Sequence, residues 1–169
     1  MVGAVRLEIR NADVIDYPAL VANVDDWWGG RPVSRMLPRL FFAHFRPTSF
    51  VAELDGMVSG FLIGFVSQAN PEIAYVHFVG IDPAARGVGL GRALYDHFFV
   101  AVGDLGCREV HCVTAPLNTA SIAFHRALGF EALHGDAVTA GGVPYTKGYD
   151  GPGEHRVCFR FGLPAQSGP

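Results

Sequence analysis

Val79-Gly80-Ile81-Asp82-Pro83-Ala84-Ala85-Arg86-Gly87-Val88-Gly89-Leu90-Gly91-Arg92 reads as an apolar strand, a glycine-rich turn and the opening of a helix. Glycines at 87, 89 and 91 remove the Cβ atoms that would keep a ligand off the backbone. They also tolerate the dihedrals that aim successive N–H groups inward. The helix that follows adds the positive end of its dipole and its unpaired first-turn donors. Arg86 and Arg92 bracket the turn with full charges, so the stretch is a cradle for phosphate. It is neither of two common nucleotide motifs. A P-loop requires a Gly-Lys-Ser/Thr ending, and the dinucleotide fingerprint requires G-x-G-x-x-G.

Working upstream, Met57 to Ser67 and Ser49 to Leu54 read as strands joined by Asp55-Gly56, a strong short hairpin signal. Gly60 and Gly64 share one strand face, which suggests a close approach or a bulge. Val5 to Ile9 alternates as a first strand, and Asn11 or Asp13 is expected to cap a helix of roughly ten residues. A second helical stretch is expected from Ser34 to about Phe45. Downstream, Leu90, Leu94, Phe98, Ala101 and Leu105 form a core stripe on a helix ending at Gly106. Val110 to Thr114 is the next strand, Asn118 opens a helix closed by Gly129, and Phe130 to Leu133 and His155 to Phe161 are the last strands. The Gly/Pro-rich loop from Gly135 to Glu154 is longer than packing requires, which marks it as functional or disordered.

The order of elements is a mixed α/β layer. R-x-x-G-x-G at Arg86, Gly89 and Gly91, the preceding V-x-I-D-P, and the later Asn118 with Phe124-His125-Arg126-Ala127-Leu128-Gly129-Phe130-Glu131 together resemble the GNAT superfamily of acyl-CoA-dependent N-acyltransferases. The resemblance covers about residues 49 to 134. It implies a twisted, mostly antiparallel sheet splayed between its fourth and fifth strands, with helices on both faces. It also implies acetyl-CoA as cofactor, its pyrophosphate held by Arg86, Gly87, Val88, Gly89, Leu90, Gly91 and Arg92. Val79 and Ile81 match the strand that pairs with the pantetheine arm, and Gly80 suits a bulge that frees a backbone donor.

With 169 residues, the chain is expected to be one domain over 1–163, with a frayed tail from 164 to 169. Half the residues are hydrophobic and 17% are charged, which leaves room for a homodimer interface. A formal charge of −3 without a basic block argues against nucleic acid as partner. Cys107, Cys112 and Cys158 make an odd number with no C-x-x-C, so free thiols in a reducing compartment are expected and a metal is not. The N-terminal residues show no signal core and no apolar run is long enough to span a bilayer, so the expected location is the cytoplasm, without a membrane partner.

Acyl transfer to an amine needs a deprotonated amine, oxyanion stabilisation and a proton for the departing thiolate. Asn118, Ser121 and His125 are spaced i, i+3 and i+7 and share one helical face, with Asn118 also the N-cap. In the family the position of His125 is commonly a tyrosine placed to protonate the thiolate. Here the pattern departs, and His125 reads either as that acid or as a packing histidine. His77 shares the strand parity of Val79 and Ile81 and reads either as the base or as a core histidine. Glu72, at the strand's mouth, reads as an alternative base acting through water. His111 on the next strand is a weaker choice. Asp25, Asp26, Trp27 and Trp28, with Tyr149 and Asp150 of the late loop, combine acids and aromatics suited to a cationic small-molecule amine, or else simply cap the core.

The sequence therefore reads as an acetyl-CoA-dependent N-acetyltransferase acting on a small amine by direct transfer in a ternary complex. Two other readings remain, a non-catalytic acyl-CoA-binding sensor and a protein lysine or N-terminal acetyltransferase. The bulk of Trp27 and Trp28 weighs against an open peptide groove.

Overall fold

The computed structural model describes residues 5–164; the first four residues and residues 165–169 of the expected tail lie outside the described part. In chain order the elements are β1 (Leu7–Asn11), α1 (Tyr17–Trp27), α2 (Leu40–His44), β2 (Ser49–Leu54), β3 (Met57–Val66), β4 (Ile73–Ile81), α3 (Leu90–Asp104), β5 (Glu109–Thr114), α4 (Thr119–Leu128), β6 (Glu131–Ala132), β7 (Ala137–Val138), β8 (Pro144–Tyr145) and β9 (Val157–Gly162). Two compact units result. One is the chain up to Val66 with Val76–Leu105, and the other is Ser67–Tyr75 with the chain from Gly106 onward. The sheet order is β1-β2-β3-β4-β5-β9-β6, mostly antiparallel, with β4–β5 as the parallel pair. β4 gives its first three residues to the second unit and the rest to the first.

In the first unit, the β2–β3 hairpin turns on Asp55 (φ 50°) and Gly56 (φ 80°), the left-handed pair that matches strand twist. Register sets Val51 opposite Phe61 and Phe50 opposite Leu62, so alternate residues face opposite layers. Val51, Phe61 and Ile63 pack with Leu20 and Val24 of α1 and with Phe41 and Phe42 of α2. On the other face, α3 packs on β2 and β3 through Leu90, Leu94, Phe98 and Val102, and the His97 ring meets Phe50 edge-on at 4.6 Å. Each such side chain contributes about 1.5–3 kcal/mol through burial. Gly60 is needed for this approach, because a Cβ there would lie 2.8 Å from Ile81 Cδ1 and 3.2 Å from Leu90 Cδ2.

In the second unit, β4 pairs with β5 over three positions, Ile73–Tyr75 opposite Glu109–His111, whereas β5 pairs with β9 over its whole length. Ala74, Val110, Cys112 and Phe159 share the face that α4 covers, with His125 stacked on Phe159. Tyr75, His111, Val113 and Cys158 share the opposite face.

Three local expectations differ from the structure. The residue at the α1 N-cap position is Asp16, whose side chain makes no cap bond; Asp16 is buried and bound by Arg10 at 2.7 and 2.9 Å, while Asp13 pairs with Arg46 at 2.7 Å. Arg46 thus takes both residues that local spacing assigned to capping, Asp13 through its guanidinium and Asn11 through its backbone carbonyl at 2.7 Å. The expected helix from Ser34 is a 3₁₀ turn at Ser34–Met36 followed by the short α2, because Pro38 has no N–H and forces Leu37 out of the helical region (φ −116°, ψ 63°). The long late loop contains the β7–β8 hairpin.

Candidate functional site

The glycine turn lies wholly in the first unit. Asp82 accepts from Ala84 N at 2.9 Å and starts the 3₁₀ turn Pro83–Ala85, after which the chain extends at Arg86 and enters the left-handed region at Gly87 (φ 84°) and Gly89 (φ 85°). No heavy atom lies within 4 Å of where a Cβ would sit on either glycine, so the concave side is open. The first i→i−4 bond of α3 is Ala93 N to Gly89 O at 3.0 Å, so the N–H groups of Leu90, Gly91 and Arg92 precede it and point along the helix axis. Leu90 anchors the helix start in the core, while Val88 is 64% exposed beside the turn. Open glycines, the first-turn N–H groups and a helix N-terminus fit the diphosphate of a coenzyme.

Arg86 does something that its charge alone does not suggest. Its Nη2 donates to the Trp27 carbonyl at 2.7 Å, and Nε and Nη2 approach the Ile81 carbonyl at 3.4 Å, so it ties the end of α1 to the turn. Asp25 is likewise structural: its carboxylate accepts from Val33 N (2.8 Å), Ser34 N (2.6 Å) and Ser34 Oγ (3.0 Å). Trp27 stacks on Phe61 at 6.3 Å and Trp28 leans on Phe78 at 5.6 Å, with Arg31 lying 5.7 Å from the centre of the Trp28 ring. Asp26 is exposed.

Val79, half-buried, alternates along β4 with Gly80, at which a Cβ would meet the Phe61 ring at 2.5 Å. His77 is half-buried and stacks on Phe41 at 4.7 Å, with Nε2 2.8 Å from the Met36 carbonyl. A carbonyl only accepts, so Nε2 carries hydrogen and Nδ1 is the atom of the neutral ring that can take a proton.

In the second unit, Asn118 caps α4 by accepting from Ser121 N at 3.1 Å, and Gly129 closes it at φ 100°. His125 is buried, stacked on Phe159 at 5.2 Å and edge-on to Phe130 at 5.3 Å. Its Nδ1 lies 2.8 Å from the Ser121 carbonyl and 3.2 Å from Ser121 Oγ, so Nδ1 carries hydrogen and the neutral ring presents Nε2 as an acceptor. Burial pushes the imidazole pKa down, and the Ser121 carbonyl only partly offsets it. A ring that burial keeps neutral has no readily donated proton, and the same burial weakens it as a base. Glu72 pairs with Arg108 at 3.0 Å, and His111 with Glu109 at 2.8 Å.

Tyr149 and Asp150 are exposed, and Asp150 is bound by Arg156 Nε at 2.6 Å. Burial pushes the Tyr75 phenol up, reinforced by Tyr149, Cys112, Asp150 and Cys158 nearby, so β4 and the late loop come together here. Tyr75 and Arg156 were not singled out from sequence. Strand parity with His77 was the available signal for Tyr75, whereas nothing local marks Arg156 as the partner of Asp150. Cys107 and Cys112 are buried free thiols, and burial raises both. Among the described residues no cluster of His, Cys, Asp or Glu has the makings of a metal site, and no helix is long and apolar enough to cross a membrane.

The model of the acetyltransferase (GNAT) family matches residues 9–130. This chain belongs to that family. It is 35% identical over 89 residues to L-2,4-diaminobutyric acid acetyltransferase of Nocardia farcinica, covering 53% of this chain and 46% of that protein. It is 33% identical over 110 residues to mycothiol acetyltransferase of Gordonia bronchialis, covering 62% and 36%. The chain thus spans less than half the length of these curated relatives. Among solved structures, diaminobutyrate acetyltransferase of Paenibacillus lautus, in complex with L-2,4-diaminobutyric acid and coenzyme A, superposes with a TM-score of 0.68 at 20% identity, covering 95% of this chain and 96% of that one, and so shares the fold.

Proposed function

We propose that this GNAT-family chain transfers an acetyl group from acetyl-CoA to the amine of a small molecule, by direct attack in a ternary complex. The observation that carries the reading is the open backbone turn over residues 87–92, with Gly87 and Gly89 left-handed and unobstructed at the start of α3. Acetyl-CoA supplies an activated thioester, and the rest of the chemistry falls to side chains of this chain. Val79 and Ile81 flank the pantetheine arm, and Asn118 and Ser121 serve it from α4. His77, through Nδ1, takes the amine proton, with Glu72 the alternative base. His125 is the nearest match to the family's proton donor. It has to be protonated before it donates, against the burial that disfavours its cation. The acceptor is recognised by Asp26, Trp27 and Trp28 and by Tyr149 and Asp150, with Asp25 shaping the segment that carries the first three. Two relatives are named for acetylation of small molecules, one of them a diamine, which supports a small amine over a polypeptide.

A second reading, a binder of acyl-CoA without turnover, is favoured by one observation: the residue at the family's acid position is a buried, neutral histidine tied to its own helix. Thiol release from acetyl-CoA, followed against L-2,4-diaminobutyrate, other diamines, amino sugars and peptides, separates the readings. Turnover with a small amine, lost in His77→Ala with acetyl-CoA affinity retained, supports the enzyme. Cofactor binding without turnover on any amine supports the binder, and turnover on peptides alone overturns the small-molecule reading.

A further inference from the structure

A cavity of about 720 Å³ lies wholly within the second unit, between one flank of α4 and the β7–β8 hairpin. The flank is Thr119, Ile122, Ala123 and Arg126, spaced i, i+3, i+4 and i+7. It is a different stripe of the helix from Asn118, Ser121 and His125.

The opposite wall is fixed in place. Thr139 N donates to the Val143 carbonyl at 2.9 Å and Val143 N to Thr139 Oγ1 at 3.0 Å, across a turn in which Gly142 is left-handed (φ 75°). At the base of the hairpin, Lys147 N donates to Asp136 Oδ1 at 2.9 Å, and Thr146 and Arg156 exchange backbone bonds at 2.8 and 3.0 Å. Gly135 packs so closely there that a Cβ would overlap the Tyr145 carbonyl. Apolar side chains line the space, and two of them, Leu117 at 93% and Val138 at 67%, are left largely exposed. Keeping them open to water is unfavourable unless something covers them.

The charges at the rim are not balanced. Glu154 is bound by Arg156 Nη2 at 2.9 Å and the same guanidinium holds Asp150 through Nε at 2.6 Å, so Arg156 is committed to these two carboxylates. Arg126 also lines the cavity, and among the described residues no carboxylate pairs with it. His155 Nδ1 accepts from Gly148 N at 2.9 Å, which places the proton of the neutral ring on Nε2 and leaves that N–H as a second donor. The lining thus combines apolar walls with the Arg126 guanidinium and the His155 N–H, two donors that suit an anion with an apolar part.

We propose that this cavity is a second ligand site, distinct from the acyl-transfer site, for a small monocarboxylate with an apolar tail. The carboxylate pairs with Arg126 and His155, and the tail covers Leu117, Val138 and Ile122. The proposal does not depend on the acceptor assignment, because its test reads binding and not turnover.

The test titrates octanoate into the full chain by calorimetry and by amide NMR, with octanol and octylamine as controls, each with and without saturating coenzyme A. The expected result is octanoate binding with perturbed amides in 116–126 and 138–143. Octanol should bind about tenfold or more weakly, in line with loss of a charge-assisted pair, and octylamine should not bind. Arg126→Gln should weaken octanoate by a similar factor. Ala123→Trp, which fills the cavity from an exposed position, should abolish it, with Val138→Asp as a second blocking variant on the exposed hairpin. Octanoate and octanol binding equally well, binding that survives both blocking variants, displacement by coenzyme A, or no binding at several millimolar would each overturn the proposal.

Discussion

Replacing Gly89 by glutamate and, in parallel, by glutamine gives opposite signs for stability and for ligand binding if the turn holds a phosphate. Gly89 has φ 85°, and no heavy atom lies within 4 Å of its would-be Cβ, so neither side chain clashes and both variants carry the same backbone strain. That strain is about 1–2 kcal/mol for an L-residue in the left-handed region, a fall in Tm of roughly 2–8 °C for a chain of this size. Charge is what separates them. A carboxylate at the N-cap of α3 stabilises the helix by about 0.3–1 kcal/mol, so without ligand Gly89→Glu should melt slightly above Gly89→Gln. Toward acetyl-CoA the order reverses. Two like charges about 4 Å apart repel by roughly 1 kcal/mol in water and roughly 4 kcal/mol at the effective dielectric of a protein surface, so glutamate should bind about 5-fold to 1,000-fold more weakly than glutamine. Calorimetric titration of acetyl-CoA into both variants measures the difference. Most of it should vanish at about 0.5 M salt, where the screening length falls to about 4 Å. Equal affinities for the two variants at low salt would refute a phosphate site at this turn, whatever the two melting temperatures showed.

Asp25→Ala removes the acceptor for two backbone N–H groups and a hydroxyl. It should cost about 2–3 kcal/mol, seen as a Tm lower by roughly 5–10 °C; an unchanged Tm with a raised Michaelis constant for the amine would instead mark Asp25 as a substrate contact. Gly80→Ala drives a methyl into the Phe61 ring and should cost about 1–3 kcal/mol. Phe61→Leu in the same chain should recover part of that, so strictly additive denaturation energies would contradict the contact. Because burial lowers the pKa of His125, the unfolded chain takes up its proton first as pH falls. The stability this residue contributes is therefore present above its ordinary value of about 6.5 and is lost below it. His125→Phe keeps an aromatic ring on Phe159 and should flatten the fall of Tm between about pH 7 and pH 5; parallel wild-type and variant slopes would refute a neutral buried imidazole.

What the sequence made legible follows from how far apart the cooperating residues lie. The turn at Gly87–Gly89, the Asp55-Gly56 hairpin and the Asn118 and Gly129 ends of α4 each depend on a few adjacent residues, and all form as read. The α1 start did not, because Asn11 and Asp13, which local spacing reserved for a cap, are bound to Arg46 instead. The helix expected from Ser34 ends at Met36, because Pro38 turns Leu37 out of the helical region and overrides the apolar periodicity on either side of it. The site shows the same division. Asp25, Arg86 and Asp150 look like free charges in a linear reading, and their partners lie eight, five and fifty-nine, and six residues away. No periodicity rule links such pairs.

These commitments change what an acceptor would meet. Glu72, Asp25 and Asp150 are each held by partners, which leaves Asp26 as the acid of the expected acceptor set without a side-chain partner among the described residues. An exposed carboxylate attracts an ammonium by only about 1 kcal/mol at contact in water, too little to select a substrate. Aromatic faces are the other means of holding a cation, at about 0.5–1 kcal/mol when exposed and about 2 kcal/mol or more when desolvated. Here the face of Trp28 is already taken by Arg31, 5.7 Å from the ring centre. An incoming amine at Trp28 would therefore exchange with a guanidinium rather than add to an empty ring. The gain from that exchange is the difference between two cation–π contacts, so selectivity at this position depends on how easily the segment held by Asp25 lets Arg31 swing away.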